Sequence, residues 1–145
     1  MRTAPGRKKV SWVGWLAQRV GLRRMPLGDR GEIAAAKFLR KQGVKIVARN
    51  RVHGKGEIDL IGIEGEFLVF VEVRTRRSEG YMRPEDSIRY RKRKKLVGTV
   101  RGLMRRHWKK GLRPRIDVVA VVWPAGERRP AEIRWHRGVI GVGGW

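Results

Sequence analysis

The sequence of 145 residues contains no cysteine and three histidines, and its acids are few beside its bases. Without cysteine the chain can form no disulfide, no thiolate metal site and no cysteine nucleophile. A zinc centre is not expected either, because three scattered histidines are too few to supply its usual ligands. Any metal ion in this protein would therefore have to be held by oxygen atoms.

Long hydrophobic runs are also missing, since no apolar stretch approaches the roughly 18 residues of a transmembrane helix. The N-terminal segment RKKVSWVGWLAQRVGLRR has a basic start and a short apolar run, but arginines follow at once. We interpret residues 1–27 as a basic, tryptophan-containing extension rather than a cleaved signal. The sequence predicts one domain over 28–140, a flexible tail over 141–145, no stable membrane insertion and a cytoplasmic location.

The charge balance is the most extreme property of the chain. It has 36 lysines and arginines against 13 acids, which gives a formal net charge of +23. So much charge of one sign repels itself in a compact state, and a polyanionic partner would relieve that repulsion. Nucleic acid, with DNA as the first choice, is the favoured partner, and an anionic membrane surface is the alternative. The oligomeric state is open, and a homodimer is compatible with the sequence.

Hydrophobic periodicity and turn residues predict an α/β domain. The apolar spacing favours a helix over 29–42, with Asp29 as its N-cap, and a long basic helix over 84–110. Alternating or continuous apolar runs favour strands over 44–52, 57–63, 67–74, 115–123 and 131–140. The order is αβββαββ, which indicates a mixed sheet flanked by helices.

Charged residues, among them Glu57, Asp59, Glu72 and Arg74, interrupt the most apolar part of the chain, GEIDLIGIEGEFLVFVEVRTR over residues 56–76. Side chains alternate along a strand, so Glu57 and Asp59 share one face of the second predicted strand. Glu72 and Arg74 share one face of the third by the same rule. A three-residue turn, EGE, between these strands makes them antiparallel neighbours, and it should bring Asp59 close to Glu72.

The two predicted helices each direct a charged residue towards the sheet. Glu32 has helical spacing to the apolar residues Ala35, Ala36 and Leu39. Its alternative role is local, because Asp29 and Glu32 also have the spacing of a capping box. In the long helix, Lys92 lies within the inward arc of Ile88, Leu96, Val100 and Leu103, although a lysine at such a position can also extend to solvent.

Acids crowded together in an apolar region repel one another and require compensation. One solution is a structural network in which Arg74 and Lys92 pair with Asp59 and Glu72. The other is a divalent cation, Mg²⁺ or Mn²⁺, because Mg²⁺ typically takes one or two carboxylates together with water and phosphate oxygens. A metal between acids beside a basic groove is suited to phosphodiester hydrolysis.

Five blocks of the sequence resemble, in order, the YraN family of bacterial endonuclease-like proteins. The blocks are GDRGEIAAAKFL, RNRV followed by GEIDLI, LVFVEVRTR, PEDSI with the following KL, and RIDVVAV. The resemblance covers residues 28–140 and implies the PD-(D/E)xK nuclease superfamily, whose restriction-endonuclease-like core is αβββαβ. By motif it implies three acidic catalytic residues that hold the metal ion, Glu32, Asp59 and Glu72.

The resemblance further implies a metal ligand at the backbone carbonyl of Val73 and a supporting role for Glu57. It places Arg74 where the superfamily has a lysine. Arginine effectively never deprotonates, so Arg74 cannot act as a base, although it can grip a phosphate. Three hypotheses follow: a metal-dependent endonuclease, a nucleic-acid-binding module whose turnover is impaired by Arg74, and a structural basic protein whose acids are only salt-bridged.

Between Ser87 and Ile116 lysine and arginine are frequent and no acid occurs. A charge run on a helix is usually a solvated face, but ordinary surface helices carry balancing acids. We interpret this run as a sequence-independent grip on the phosphate backbone. The predicted nucleic-acid-binding residues are Arg76, Arg89, Arg91, Lys92, Arg93, Lys94 and Lys95.

Overall fold

The computed structural model describes residues 25–78, 88–107 and 111–142. Two helices and five strands lie in this part of the chain: α1 (Leu27–Lys41), β1 (Lys45–His53), β2 (Gly56–Glu64), β3 (Phe67–Arg76), α2 (Tyr90–His107), β4 (Arg113–Val122) and β5 (Glu132–Ile140). Neither helix has the length and apolarity needed to cross a membrane. Most of the predicted N-terminal extension and of the C-terminal tail, residues 1–24 and 143–145, lies outside the described residues.

The strands form one mixed sheet in the order β1-β2-β3-β4-β5. Neighbours are antiparallel except β3 and β4, which are parallel and are joined by the crossover that contains α2. Two-residue turns close the two hairpins, and Gly54 and Gly65 occupy them with φ of 60° and 55°. Glycine suits both positions because a side chain disfavours positive φ.

Each face of the sheet carries one helix and one apolar cluster. The helix α1 packs Ala35, Ala36 and Leu39 against alternate residues of the sheet, Leu60, Val69, Val71, Val119 and Val121. The helix α2 packs Leu96, Val100 and Leu103 against the other face, which presents Ile58, Ile61, Phe70, Ile116 and Val118. This architecture confirms the predicted α/β class and is consistent with the restriction-endonuclease-like core.

The first helix begins earlier than the sequence predicted, and Asp29 is not its N-cap. The N-cap residue is Pro26, whose carbonyl accepts the Arg30 amide at 3.1 Å, and no side chain caps this end. Asp29 instead lies exposed in the first turn, where a negative charge interacts favourably with the helix dipole. The capping-box role of Glu32 required Asp29 as the N-cap, so the structure does not support it.

The second helix begins later than predicted. Residues 84–87 and 108–110 of the expected helix lie outside the described residues, and α2 starts at Tyr90. The amides of Lys92 and Arg93 donate to the carbonyl of Arg89. Arg89 therefore directly precedes α2, and its carbonyl accepts the first hydrogen bonds of the helix. Ile88 is 4% exposed, and its carbonyl accepts the Nε of Arg93. Ile88 thus enters the core ahead of the helix rather than from its first turn.

The turn between β1 and β2 rests directly on α2 through two glycines. A Cβ at Gly56 would stand 1.9 Å from Oγ1 of Thr99, and one at Gly102 would stand 2.1 Å from Nε2 of His53. Both distances are far below a normal contact, so the hairpin can approach the helix only because these side chains are absent. The approach determines one wall of the site described below.

Replacing Gly102 with alanine should therefore destabilise the fold. Intrinsic helix propensity favours alanine by about 1 kcal/mol, but forcing His53 aside should cost more, as overpacking typically does. We expect a net loss of roughly 1–2 kcal/mol in urea unfolding. Gly98→Ala is the matched control, because Gly98 is exposed on the same helix with nothing within 4 Å. A Gly102→Ala protein as stable as the Gly98→Ala protein would contradict this account of the contact.

Candidate functional site

Asp59 and Glu72 lie in adjacent strands at the point where their pairing stops. The β2–β3 register runs as far as Leu60 opposite Val71, and one further step sets Asp59 opposite Glu72. There the carboxylate of Asp59 accepts the backbone amide of Val73 at 2.7 Å. A side chain thus bonds to the backbone of β3 just beyond the last strand pair, which holds Asp59 beside Glu72 as the sequence predicted.

Glu72 is a buried acid compensated from the helix. It is 3% exposed, and its Oε1 forms an ion pair with Nζ of Lys92 from the first turns of α2. The Nε of Arg74 lies 3.5 Å from the same oxygen and is buried without a hydrogen bond. Lys92 is therefore the closer cation. Its side chain remains 42% exposed, so it faces both Glu72 and solvent.

An open pocket of about 380 Å³ lies above these acids. Its lining includes the acids Glu57, Asp59 and Glu72 and the lysines Lys55, Lys92 and Lys95. The β1–β2 turn forms one wall and the α2 helix, through Leu96 and Thr99, forms the other. The volume is within the roughly 300–1,000 Å³ range typical of ligand pockets. The cleft thus combines three acids with three lysines in one lining.

Burial and neighbouring negative charge raise the pKa of Asp59 to about 7 from its ordinary 3.8. Loss of solvation is the largest cause, and the charge of Glu72 is the next. The Val73 amide and Lys92 act in the opposite direction, while the charge of Glu32 adds to the rise. The charged form of Asp59 is therefore disfavoured when no cation lies beside it, and a bound divalent cation would stabilise that form.

Glu32 approaches this acid pair from α1, which lies on the opposite face of the sheet from α2. Its Oε2 accepts the side-chain amide of Asn50 in β1 at 2.9 Å, and its side chain is half-buried. Glu32 is absent from the lining of the pocket, as is Arg74. The structure thus brings Asp59, Glu72 and Lys92 together in one pocket and holds Glu32 next to it.

The donor atoms around the pocket suit a small, oxygen-preferring cation. Within residues 25–78, 88–107 and 111–142, no three carboxylates or imidazoles converge in an arrangement ready to hold a metal ion. Two adjacent carboxylates, Asp59 and Glu72, are nevertheless what Mg²⁺ needs when water and phosphate complete its shell. For Val73 the structure records an amide bonded to Asp59, so any role of its carbonyl stays a prediction.

The predicted phosphate-gripping residues mostly point outward. Exposed side chains are those of Arg76, Arg89, Arg91, Arg93, Lys94 and Lys95, whereas Lys92 is half-buried. Lys95 also lines the pocket, so the basic face of α2 is continuous with the acid site. Glu57 is exposed on the pocket lining two residues from Asp59.

Sequence reasoning missed three residues here: Asn50, Lys55 and Thr99. The HGKG turn contained the necessary signal for the first two. A two-residue turn pairs His53 with Gly56, and this register sets Asn50 opposite Asp59 and leaves Lys55 at the tip. No comparable signal exists for Thr99, because its contact with Gly56 depends on how closely α2 approaches the sheet.

Comparison with known proteins assigns the chain to a family. The family model described as "Uncharacterised protein family UPF0102" matches residues 31–121, which include most of α1, the acid pair, α2 and most of β4. This chain belongs to the UPF0102 family. The YraN resemblance is thereby confirmed, since the two names denote one family.

Relatives share the greater part of this UPF0102 domain. A UPF0102 protein of Rhodococcus jostii is 42% identical over 101 residues, covering 68% of this chain and 83% of its own. One from Dehalococcoides mccartyi is 39% identical over 98 residues, covering 68% and 81%. One from Syntrophotalea carbinolica is 34% identical over 122 residues, covering 84% and 97%. None of these names states an activity.

The raised pKa of Asp59 predicts that its charge destabilises this UPF0102 protein in the absence of metal. The native state holds the proton more tightly than the unfolded chain, so stability falls as pH rises from about 4 to about 7 and then levels off. Asp59→Asn stays neutral and can still accept the Val73 amide. We expect its Tm at pH 8 in EDTA to exceed that of the wild type by at least about 3 °C, or roughly 1 kcal/mol.

The gap should close towards pH 4, where Asp59 is protonated in both states. Asp29→Asn is the control, because it removes an exposed acid that favours the dipole of α1 and should not stabilise. Equal melting temperatures for wild type and Asp59→Asn across the whole pH range would contradict the assigned electrostatics.

Proposed function

We propose that this protein is a metal-dependent nuclease that hydrolyses phosphodiester bonds in nucleic acid, with DNA as the first candidate substrate. The observation that carries the proposal is the pair of adjacent carboxylates, Asp59 and Glu72, at an open pocket whose other lining residues include three lysines. Membership of an endonuclease-like family and the superfamily motif support the same reading.

Two groups of residues would have separate roles, one in holding a cation and the other in holding a phosphate. Asp59 and Glu72 supply the carboxylate oxygens that would hold Mg²⁺ or Mn²⁺. When bound, such an ion activates water and neutralises charge on the phosphate. Lys92 and Lys95 face the same pocket, where they attract the phosphate and stabilise the charge that develops on it. The exposed bases of α2 grip the neighbouring backbone.

Lys92 takes the place beside Glu72 that the superfamily motif gives to a strand lysine. Its ammonium group forms an ion pair with Glu72 and reaches the pocket, whereas Arg74 does not line it. We infer that Lys92 acts as the electrostatic stabiliser and that Arg74 assists in retaining Glu72. Arg74 itself favours the alternative, which is a binding module with impaired turnover. Arginine effectively never deprotonates, so it cannot transfer a proton as the motif lysine can.

The first experiment is a cleavage assay on labelled duplex, single-stranded and branched DNA and on RNA, in EDTA, Mg²⁺ or Mn²⁺. We expect cleavage that requires a divalent ion and is abolished in Asp59→Ala, because a ligand carboxylate is lost. Asp29→Ala, purified in parallel, should cut like the wild type and so exclude a contaminating nuclease. Binding of nucleic acid without cleavage under every condition would refute the nuclease proposal.

The roles of the two cations beside Glu72 can be separated by substitution. Lys92→Ala should lower the cleavage rate by about 100-fold, the typical loss when one stabilising group is removed. Lys92→Arg keeps the charge and should retain most activity, and Arg74→Lys should cut at close to the wild-type rate. Thermal unfolding of each variant shows whether Glu72 still tolerates burial. An inactive wild type that gains cleavage in Arg74→Lys would instead establish the impaired-module alternative.

A further inference from the structure

Asn50 has a backbone conformation that side chains rarely adopt. Its φ is 47°, and within the described residues it is the one non-glycine with positive φ. This left-handed region costs energy for most L-residues and is tolerated best by asparagine and aspartate. Such positions are kept where the surrounding structure requires them, often at functional sites. The conformation therefore raises the question of what the Asn50 side chain does.

The sheet register puts Asn50 beside the acid pair. Arg49 pairs with Leu60 and Arg51 with Ile58, so Asn50 stands opposite Asp59. The β2–β3 register continues the same row towards Glu72. Asn50, Asp59 and Glu72 thus occupy one line across three neighbouring strands.

The side-chain amide of Asn50 connects this row to the first helix. It donates a hydrogen bond of 2.9 Å to Oε2 of Glu32, 18 residues away in sequence. Glu32 is half-buried, and Asn50 supplies a donor for its carboxylate in place of the capping role considered above. Because Asn50 stands opposite Asp59, this hydrogen bond keeps the Glu32 carboxylate at the end of the row that contains the acid pair. A neutral amide donor can hold a carboxylate near other acids without cancelling its charge.

We propose that Asn50 is a positioning residue that holds the Glu32 carboxylate beside Asp59 and Glu72 and so increases the affinity of the site for a divalent cation. The inference rests on the proposed function, because it assumes that the acid pair binds such an ion. Asn50 acts through Glu32 and does not itself contact the cation. Residues in this outer position typically change metal affinity by about 10- to 100-fold when they are removed.

Titration calorimetry with Mn²⁺, on the full chain without nucleic acid, tests the inference. Asn50→Gly keeps the left-handed backbone at no steric cost and removes the amide, so the fold should survive, as thermal unfolding will verify. We expect an approximately 10-fold weaker Mn²⁺ affinity. Asn50→Asp keeps the shape but places a further negative charge against Glu32, and it should displace that carboxylate and weaken affinity as well.

A double-mutant cycle with Glu32→Gln distinguishes positioning from a general structural effect. If Asn50 acts through Glu32, Asn50→Gly should produce no further loss of Mn²⁺ affinity in the Glu32→Gln background. Additive losses would overturn the inference, as would an Asn50→Gly protein that binds Mn²⁺ like the wild type. A wild type that binds no Mn²⁺ would overturn the proposed function together with this inference, whereas a wild type that binds it leaves each outcome specific to Asn50.

Discussion

The ion pair between the buried Glu72 and Lys92 is the interaction on which the site depends. Glu72 lies in the central part of the sheet at 3% exposure, where an uncompensated charge would be strongly unfavourable. Compensation comes from α2, which starts at Tyr90 so that Lys92 is in its first turn and reaches the sheet. The same geometry sets the helix against the β1–β2 turn and encloses the pocket. The packing of the helix and the chemistry of the site are therefore one arrangement.

Asp117 and Asp59 lie in the same sheet, but their carboxylates have very different surroundings. Asp117 is fully buried, and it accepts two bonds of 2.8 Å from Arg115, one of 2.9 Å from Trp135 and one of 2.9 Å from the Gly138 amide. Its hydrogen-bonding capacity is used, and its role is to join β4 to β5. Asp59 accepts the Val73 amide but also meets the charges of Glu72 and Glu32. Of these two environments, only that of Asp59 disfavours the charged carboxylate, so a cation beside it would be stabilising.

The fold places basic residues of α2 beside the acid pocket. Positive charge is spread over the exposed side of α2, while the same helix supplies Lys92 and Lys95 to a pocket that contains three acids. A polyanion attracted to the helix would lie next to the pocket that contains Glu57, Asp59 and Glu72. The lysines and arginines would attract the phosphates of such a polyanion, whereas the acids would repel them. A divalent cation between phosphate and carboxylates would remove this repulsion. Membership of UPF0102 does not assign this chemistry, since the family is described as uncharacterised.

The sequence by itself determined the order of elements and the neighbourhood of Asp59 and Glu72. Period-two alternation and a short glycine-containing turn are local properties, so they are readable along the chain, although the β2–β3 turn has two residues and not the three predicted. The inward arc that includes Lys92 is readable for the same reason, from helical spacing. Tertiary structure alone decided that α2 starts at Tyr90, that Glu72 pairs with Lys92 more closely than with Arg74, and that Glu32 is held by Asn50. These outcomes depend on the distance between elements remote in sequence and on a left-handed residue that redirects one side chain, and no local pattern encodes either.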